Sequence, residues 1–122
     1  MDIDKRFIGY EFDWFAVDKE GQIGFFSSGG YGVIPDKVKI NYKEYDNIST
    51  KIEMPNSGNK NIWKDIASYG LYVFDWDQNK NSYIKLENPT KKIDEALQKE
   101  ILEIRDLSYF NEFFYEVEYI NP

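Results

Sequence analysis

Residues 10–17 are aromatic or aliphatic at every position except Glu11 and Asp13. A near-continuous apolar run of this length, closed by a turn signal, predicts a strand buried over most of its length. Asp18-Lys19-Glu20-Gly21 is that turn signal, with a glycine suited to positive φ. Residues 22–27 then resume the strand pattern through Ile23, Phe25 and Phe26. Two such runs across a short polar turn predict an antiparallel hairpin. Aromatics form 18% of the 122 residues, so large rings are plentiful enough to build a core around that hairpin.

The loop Ser27-Ser28-Gly29-Gly30-Tyr31-Gly32 leads to Pro35, which suits the first turn of a helix. Val38, Tyr42, Tyr45, Ile48 and Ile52 recur at steps of three and four and predict one helical face. After Pro55 and a polar stretch, Ile62, Trp63, Ile66 and Ala67 fit one side of a shorter helix, with Gly70 at its left-handed cap. Residues 71–76 and 83–86 predict a second hairpin, stopped by Pro89. Ile93, Leu97, Ile101 and Ile104 are spaced as a helix, and Phe113, Tyr115, Val117 and Tyr119 alternate as a last strand. The expected fold is a single α+β domain over residues 1–122: an antiparallel sheet of two hairpins plus a C-terminal strand, with helices packed on one face. Phe12-Asp13-Trp14 and Phe74-Asp75-Trp76 repeat a tripeptide, but in different register to the following turn, which is too little to assign a repeat architecture. Trp14, Trp63 and Trp76 all fall on predicted apolar faces.

Composition limits the chemistry. No cysteine is present, which excludes disulfides and thiolate zinc sites. No histidine is present, which removes the commonest general base and metal ligand. The N-terminus lacks the basic start and apolar run of a secretory signal, and no apolar run approaches a membrane span, so a cytoplasmic location is expected. The formal net charge is −7, from 22 acidic and 15 basic residues. Such a surface repels nucleic acid and anionic membranes and attracts a basic partner; it also serves solubility alone.

Four groups of residues are candidates for function. The glycine-rich loop around Tyr31 lacks the Gly-Lys-Ser/Thr ending of a phosphate-binding loop and reads more simply as a tight turn. Asp13, Asp18, Asp75 and Asp77 lie in or beside strands and could serve glycosidic chemistry or hold a cation, but no calcium-loop spacing occurs and no cofactor or metal is expected. The serines have no histidine to activate them. The C-terminal strand carries Glu112, Glu116 and Glu118 with no basic residue after Arg105. Its alternation puts those glutamates on one face around an exposed Phe114, either as a solvated edge or as a surface for a basic protein.

Asp13-Trp14-Phe15-Ala16-Val17-Asp18, with Gly21, Ile23, Phe26, Gly29-Gly30-Tyr31-Gly32 and Ile34-Pro35, resembles a group of small bacterial immunity proteins of polymorphic and contact-dependent toxin systems. Gly70-Leu71-Tyr72-Val73-Phe74-Asp75 and Tyr83-Ile84-Lys85-Leu86 with Pro89 resemble the same group, so the matching blocks cover about half the chain. The resemblance implies neutralisation of a toxin by binding, without catalysis, and carries over no catalytic residue. The partner expected is a cognate, basic toxin domain, met by Glu112, Phe114, Glu116 and Glu118, or otherwise by Tyr31 or by Asp75 and Asp77. Rival readings are a carboxylate-dependent hydrolase and an acidic ligand-binding or adaptor module.

Overall fold

The computed structural model describes Gly9 and residues 11–122; Tyr10, where the first apolar run starts, lies outside the described residues. The run forms β1, Asp13–Val17, paired antiparallel with β2, Ile23–Ser27, from Asp13 opposite Ser27 to Val17 opposite Ile23. The turn between them is tied by Asp18, whose Oδ1 accepts from the N–H groups of Glu20 (2.9 Å) and Gln22 (2.8 Å). Three helices follow: α1, Asp36–Ile40; α2, Tyr42–Ser49; and α3, Ile62–Ala67. The second hairpin is β3, Tyr72–Asp77, with β4, Ser82–Glu87. Helix α4, Glu95–Leu102, and two short strands, β5 (Ser108–Tyr109) and β6 (Tyr119–Ile120), follow. No helix among the described residues is long and apolar enough to cross a membrane.

Both hairpins and the α+β class agree with expectation. The sheet, however, is mixed. Its strand order is β5-β1-β2-β3-β4-β6, with β2 parallel to β3 and β1 parallel to β5. The connection through α1–α3 is a crossover rather than a tight turn, and a crossover can return the chain in the same direction. The predicted single helical face at Val38–Ile52 spacing is split at Asn41 (φ −103, ψ 24), which separates α1 from α2. The Asn41 side-chain amide donates to the Lys37 carbonyl (3.0 Å) and to that of Arg105 (3.2 Å), so the break is held from outside the helix. The periodic residues still point inward: Val38, Tyr45, Ile48 and Ile52 are buried. Helix α4 is shorter than the spacing of Ile93 to Ile104 suggests, because the Asp94 carboxylate caps it by accepting from the Leu97 N–H at 3.0 Å.

The largest departure is at the C-terminus. Only Tyr119 and Ile120 join the sheet there, opposite Ile84 and Tyr83. The preceding residues turn instead of extending, with the Glu116 N–H donating to the Phe113 carbonyl at 3.0 Å. Phe114 is gripped at both backbone groups: its N–H donates to Asp18 Oδ2 (2.9 Å) and its carbonyl accepts from Lys85 Nζ (2.9 Å). The expected alternation therefore holds only in part: the glutamates are exposed and Val117 packs against the core, but three aromatics are on the other side from the one expected. Phe114 is fully buried, whereas Tyr115 and Tyr119 are exposed.

Each sheet face has its own cover. Trp14, Phe26 and Phe74 lie side by side across β1, β2 and β3, with ring centroids 4.4 Å and 4.6 Å apart. Phe110 and Phe114 close over them, at 5.4 Å and 6.0 Å from Phe26. Gly24 makes room for this layer, since a Cβ there would meet the Phe26, Phe114 and Phe74 rings at 3.0, 3.1 and 3.2 Å. Tyr83 seals the edge of the stack: its hydroxyl accepts from Trp14 Nε1 (3.2 Å) and donates to the Val33 carbonyl (2.8 Å). The opposite face carries Asp13, Phe25 and Ser27 toward α2 and α3. Trp14 is buried as expected, but Trp63 and Trp76 are only half-buried.

Candidate functional site

The repeated Phe-Asp-Trp tripeptide acquires meaning from the pairing. Asp13 lies opposite Ser27, and Ser27 lies opposite Asp75. Because β1 runs antiparallel to β2 and β2 parallel to β3, the two tripeptides flank β2 in opposite directions. Side chains alternate along a strand, so both aspartates emerge on the helix-facing side while Trp14 and Phe74 join the ring stack. Asp13 and Asp75 are thus brought to one end of one face, a grouping that neither residue's local sequence reveals.

A cavity of about 560 Å³ opens beside this end, lined in part by Glu11, Asp13 and Ser27, by Phe25 of β2, and by Ile62, Trp63 and Ile66 of α3. Its outer wall is the loop through residues 57–60, ending at Lys60. Asp65 on α3 braces the start of that loop, its two oxygens accepting from the Asn56 backbone N–H (2.8 Å) and side-chain amide (2.9 Å). Burial pushes the Asp13 carboxyl up to about 7, and the neighbouring charges of Glu11, Asp46 and Asp75 push the same way. Burial also raises Asp75, but there hydrogen bonds from the Ser27 hydroxyl and the Trp76 backbone oppose it. The two aspartates therefore differ: Asp75 has donors, whereas no donor or cation among the described residues relieves Asp13. Among the described residues, no three acidic side chains are grouped so as to hold a metal ion.

The second candidate surface lies at the C-terminus. Glu112, Glu116 and Glu118 are exposed, as the sequence predicts, and Phe114 is not. In its place Tyr115 (50% exposed) and Tyr119 (47%) stand among the glutamates. Lys80 crosses over Tyr119, 4.9 Å from the ring centroid, and donates to its hydroxyl at 3.1 Å. The anchors beneath this surface are Phe110, Phe114 and Ile120, all buried.

The remaining predicted residues are scattered. Tyr31 is 66% exposed, at the tip of the glycine loop. The loop is packed tightly, since a Cβ on Gly32 would come within 2.8 Å of both the Ser28 carbonyl oxygen and the Tyr83 hydroxyl. Asp77 is half-buried and closes the β3–β4 turn, its Oδ1 accepting from the Lys80 N–H at 3.0 Å. Asp18, first assigned to a turn, also grips Phe114 and is a structural clamp across 96 positions of sequence. Sequence reasoning named Asp13 but did not place it beside Trp63, Ile62 and Ile66, which sit on a helix far along the chain.

Fold and surface together define an acidic α+β domain with a carboxylate-bearing cavity on one sheet face and a tyrosine–glutamate ridge over the other. Comparison of the chain with protein-family models, with curated proteins and with solved structures finds no match.

Proposed function

We propose that this protein neutralises a toxin by binding its basic domain, without catalysis of its own. The observation that carries the reading is the ridge in which exposed Tyr115 and Tyr119 alternate with Glu112, Glu116 and Glu118 on a segment anchored from below. Tyrosine offers large contact area at low entropic cost, and a pre-anchored ridge loses little freedom on binding. The net charge of −7 adds attraction toward a basic partner. The resemblance of the β1, β2, β3 and β4 segments to bacterial immunity proteins points the same way. The cytoplasm is the place of action this reading requires.

The experiment is binding kinetics against the product of the adjoining reading frame at several salt concentrations. Glu116→Lys with Glu118→Lys should slow association and flatten its salt dependence, because exposed charges act over roughly 8–10 Å at ordinary salt. Tyr115→Ala and Tyr119→Ala should instead speed dissociation. Absence of binding, or binding indifferent to all four substitutions, overturns the assignment.

A second reading, a carboxylate-dependent hydrolase, draws on one observation: Asp13 is held near neutrality in a cavity with Asp75 two strands away. Turnover of glycoside or phosphodiester substrates that disappears in a folded Asp13→Asn variant would establish it in place of the binding role.

A further inference from the structure

The cavity beside β1 has the composition of a receptor for a positive charge on an apolar stem. Phe25, Ile62, Trp63 and Ile66 supply apolar wall, and Asp13 supplies a carboxylate at the sheet side. Its volume of about 560 Å³ is of small-ligand size. The wall is braced rather than loose, since Asp65 fixes Asn56 at the base of the loop that bounds it. Among the described residues, the charges acting on Asp13 are Glu11 before β1, Asp46 on α2 and Asp75 on β3, all negative, while Lys60 on the bounding loop is positive. Lys60 is exposed, while Asp13 is half-buried. An anionic ligand would meet net repulsion. A neutral one would leave the desolvated carboxylate without compensation. A cation relieves it, and an aromatic wall adds attraction to a cation's charge.

We propose that this cavity is a binding site for an organic cation: a guanidinium or primary ammonium group on a short alkyl stem, with its charge on Asp13 and its stem against Trp63. The site lies on the helix-facing side of the sheet, away from the tyrosine–glutamate ridge, and it does not depend on the toxin-binding reading. Binding requires the ionised carboxylate. Where Asp13 is protonated, the cation displaces that proton to solvent, so one proton leaves for each cation bound at low pH and none at high pH. With the carboxyl titrating at about 7, affinity rises with pH and levels off above it.

The probe is n-butylguanidinium, with n-butylurea as its uncharged counterpart, measured by calorimetry on the full chain. Butylguanidinium should bind about tenfold more tightly at pH 8 than at pH 6, the ratio expected from the ionised fraction of one group titrating near 7. Butylurea should not bind. Asp13→Asn should abolish both the binding and its pH dependence while leaving the circular dichroism spectrum unchanged. Trp63→Ala should weaken binding without altering the pH trend. A peptide carrying one arginine separates two sources of the same group: tighter binding of the peptide than of butylguanidinium identifies a protein side chain as the natural occupant, and equal or weaker binding identifies a free small cation. No binding of either probe at millimolar concentration overturns the proposal. So does equal binding of butylurea, or binding unchanged in Asp13→Asn. Loss of toxin binding without loss of cation binding, or the converse, shows which of the two readings has failed.

Discussion

Phe12-Asp13-Trp14 and Phe74-Asp75-Trp76 flank β2 in opposite directions, and they divide the middle of the sheet into two unlike sides. On one side, Trp14, Phe26 and Phe74 are stacked and then covered by Phe110 and Phe114, with Tyr83 hydrogen-bonded at the edge. On the other, Asp13 borders a cavity walled in part by α3, with Asp75 two strands away. The sealed side is maintained by ring packing and satisfied polar groups. The open side carries a carboxylate whose ionisation is opposed by its surroundings. The contrast marks where burial and neighbouring carboxylates oppose a charge.

The sharpest way to break the sealed side is to remove a ring from its centre. Phe26→Ala should cost about 3–5 kcal/mol, the usual range for a fully buried aromatic, and Phe114→Ala should fall in the same range. Denaturant midpoints measure both. A small loss for Phe114→Ala would mean that the C-terminal segment is not an integral cover of the stack.

The open side should respond to pH in the opposite sense from an ordinary salt-bridged carboxylate. The Asp13 carboxyl titrates near 3.8 when unperturbed and at about 7 in the folded chain. Its contribution to stability is therefore complete below about 4 and is lost as pH rises through about 7. Asp13→Asn imitates the protonated form. It should be nearly neutral below about pH 4, should become stabilising as pH rises from there towards about 7, and should stabilise the protein by on the order of 2–4 kcal/mol at pH 8. Thermal unfolding of both proteins across this pH interval is the test. A stability difference that does not change with pH would remove the basis for a strained carboxylate.

Asp18 links the β1–β2 turn to the cover over the rings. Asp18→Ala deprives three backbone N–H groups of their acceptor, and the loss should be about 2–3 kcal/mol. Hydrogen exchange should then quicken at Phe114 before it quickens at Phe26. The smallest effect belongs to the ridge. Glu116→Lys and Glu118→Lys should each change stability by less than about 0.5 kcal/mol, as exposed substitutions usually do. A larger change would show that these glutamates support the fold rather than face a partner.

Much of this architecture could be read from local patterns. The hairpins at Asp18–Gly21 and after Asp77 follow from apolar runs and turn chemistry, and Gly70 does adopt the left-handed conformation predicted for it, at φ +91°. The C-terminal segment departs from the strand its pattern predicts, because alternation alone does not distinguish a strand from a turn that buries Phe110, Phe114 and Ile120. Phe114 is taken inside by a carboxylate 96 positions earlier and by Lys85, and neither partner leaves a trace near Phe114 in the sequence. The same alternation puts Tyr115 and Tyr119 on the packed face, and both are exposed. The repeated tripeptide was visible, and it was the one available sign that Asp13 and Asp75 are related. Its meaning depended on β2 lying between them.

What the sequence determined by itself is what short-range physics controls: the strand and helix segments, the turns, the acidic balance and the lack of histidine and cysteine chemistry. What only the tertiary structure decided is strand direction across the sheet, the side on which each aromatic ring lies, and the company kept by Asp13. Those depend on which segments meet, and meeting is governed by the closure of the crossover between β2 and β3 and by hydrogen bonds between residues far apart in the chain. Among the described residues, the aspartate of the tripeptide is supplied with donors at position 75 and not at position 13, because burial and neighbours, not residue type, set the energy of a charge.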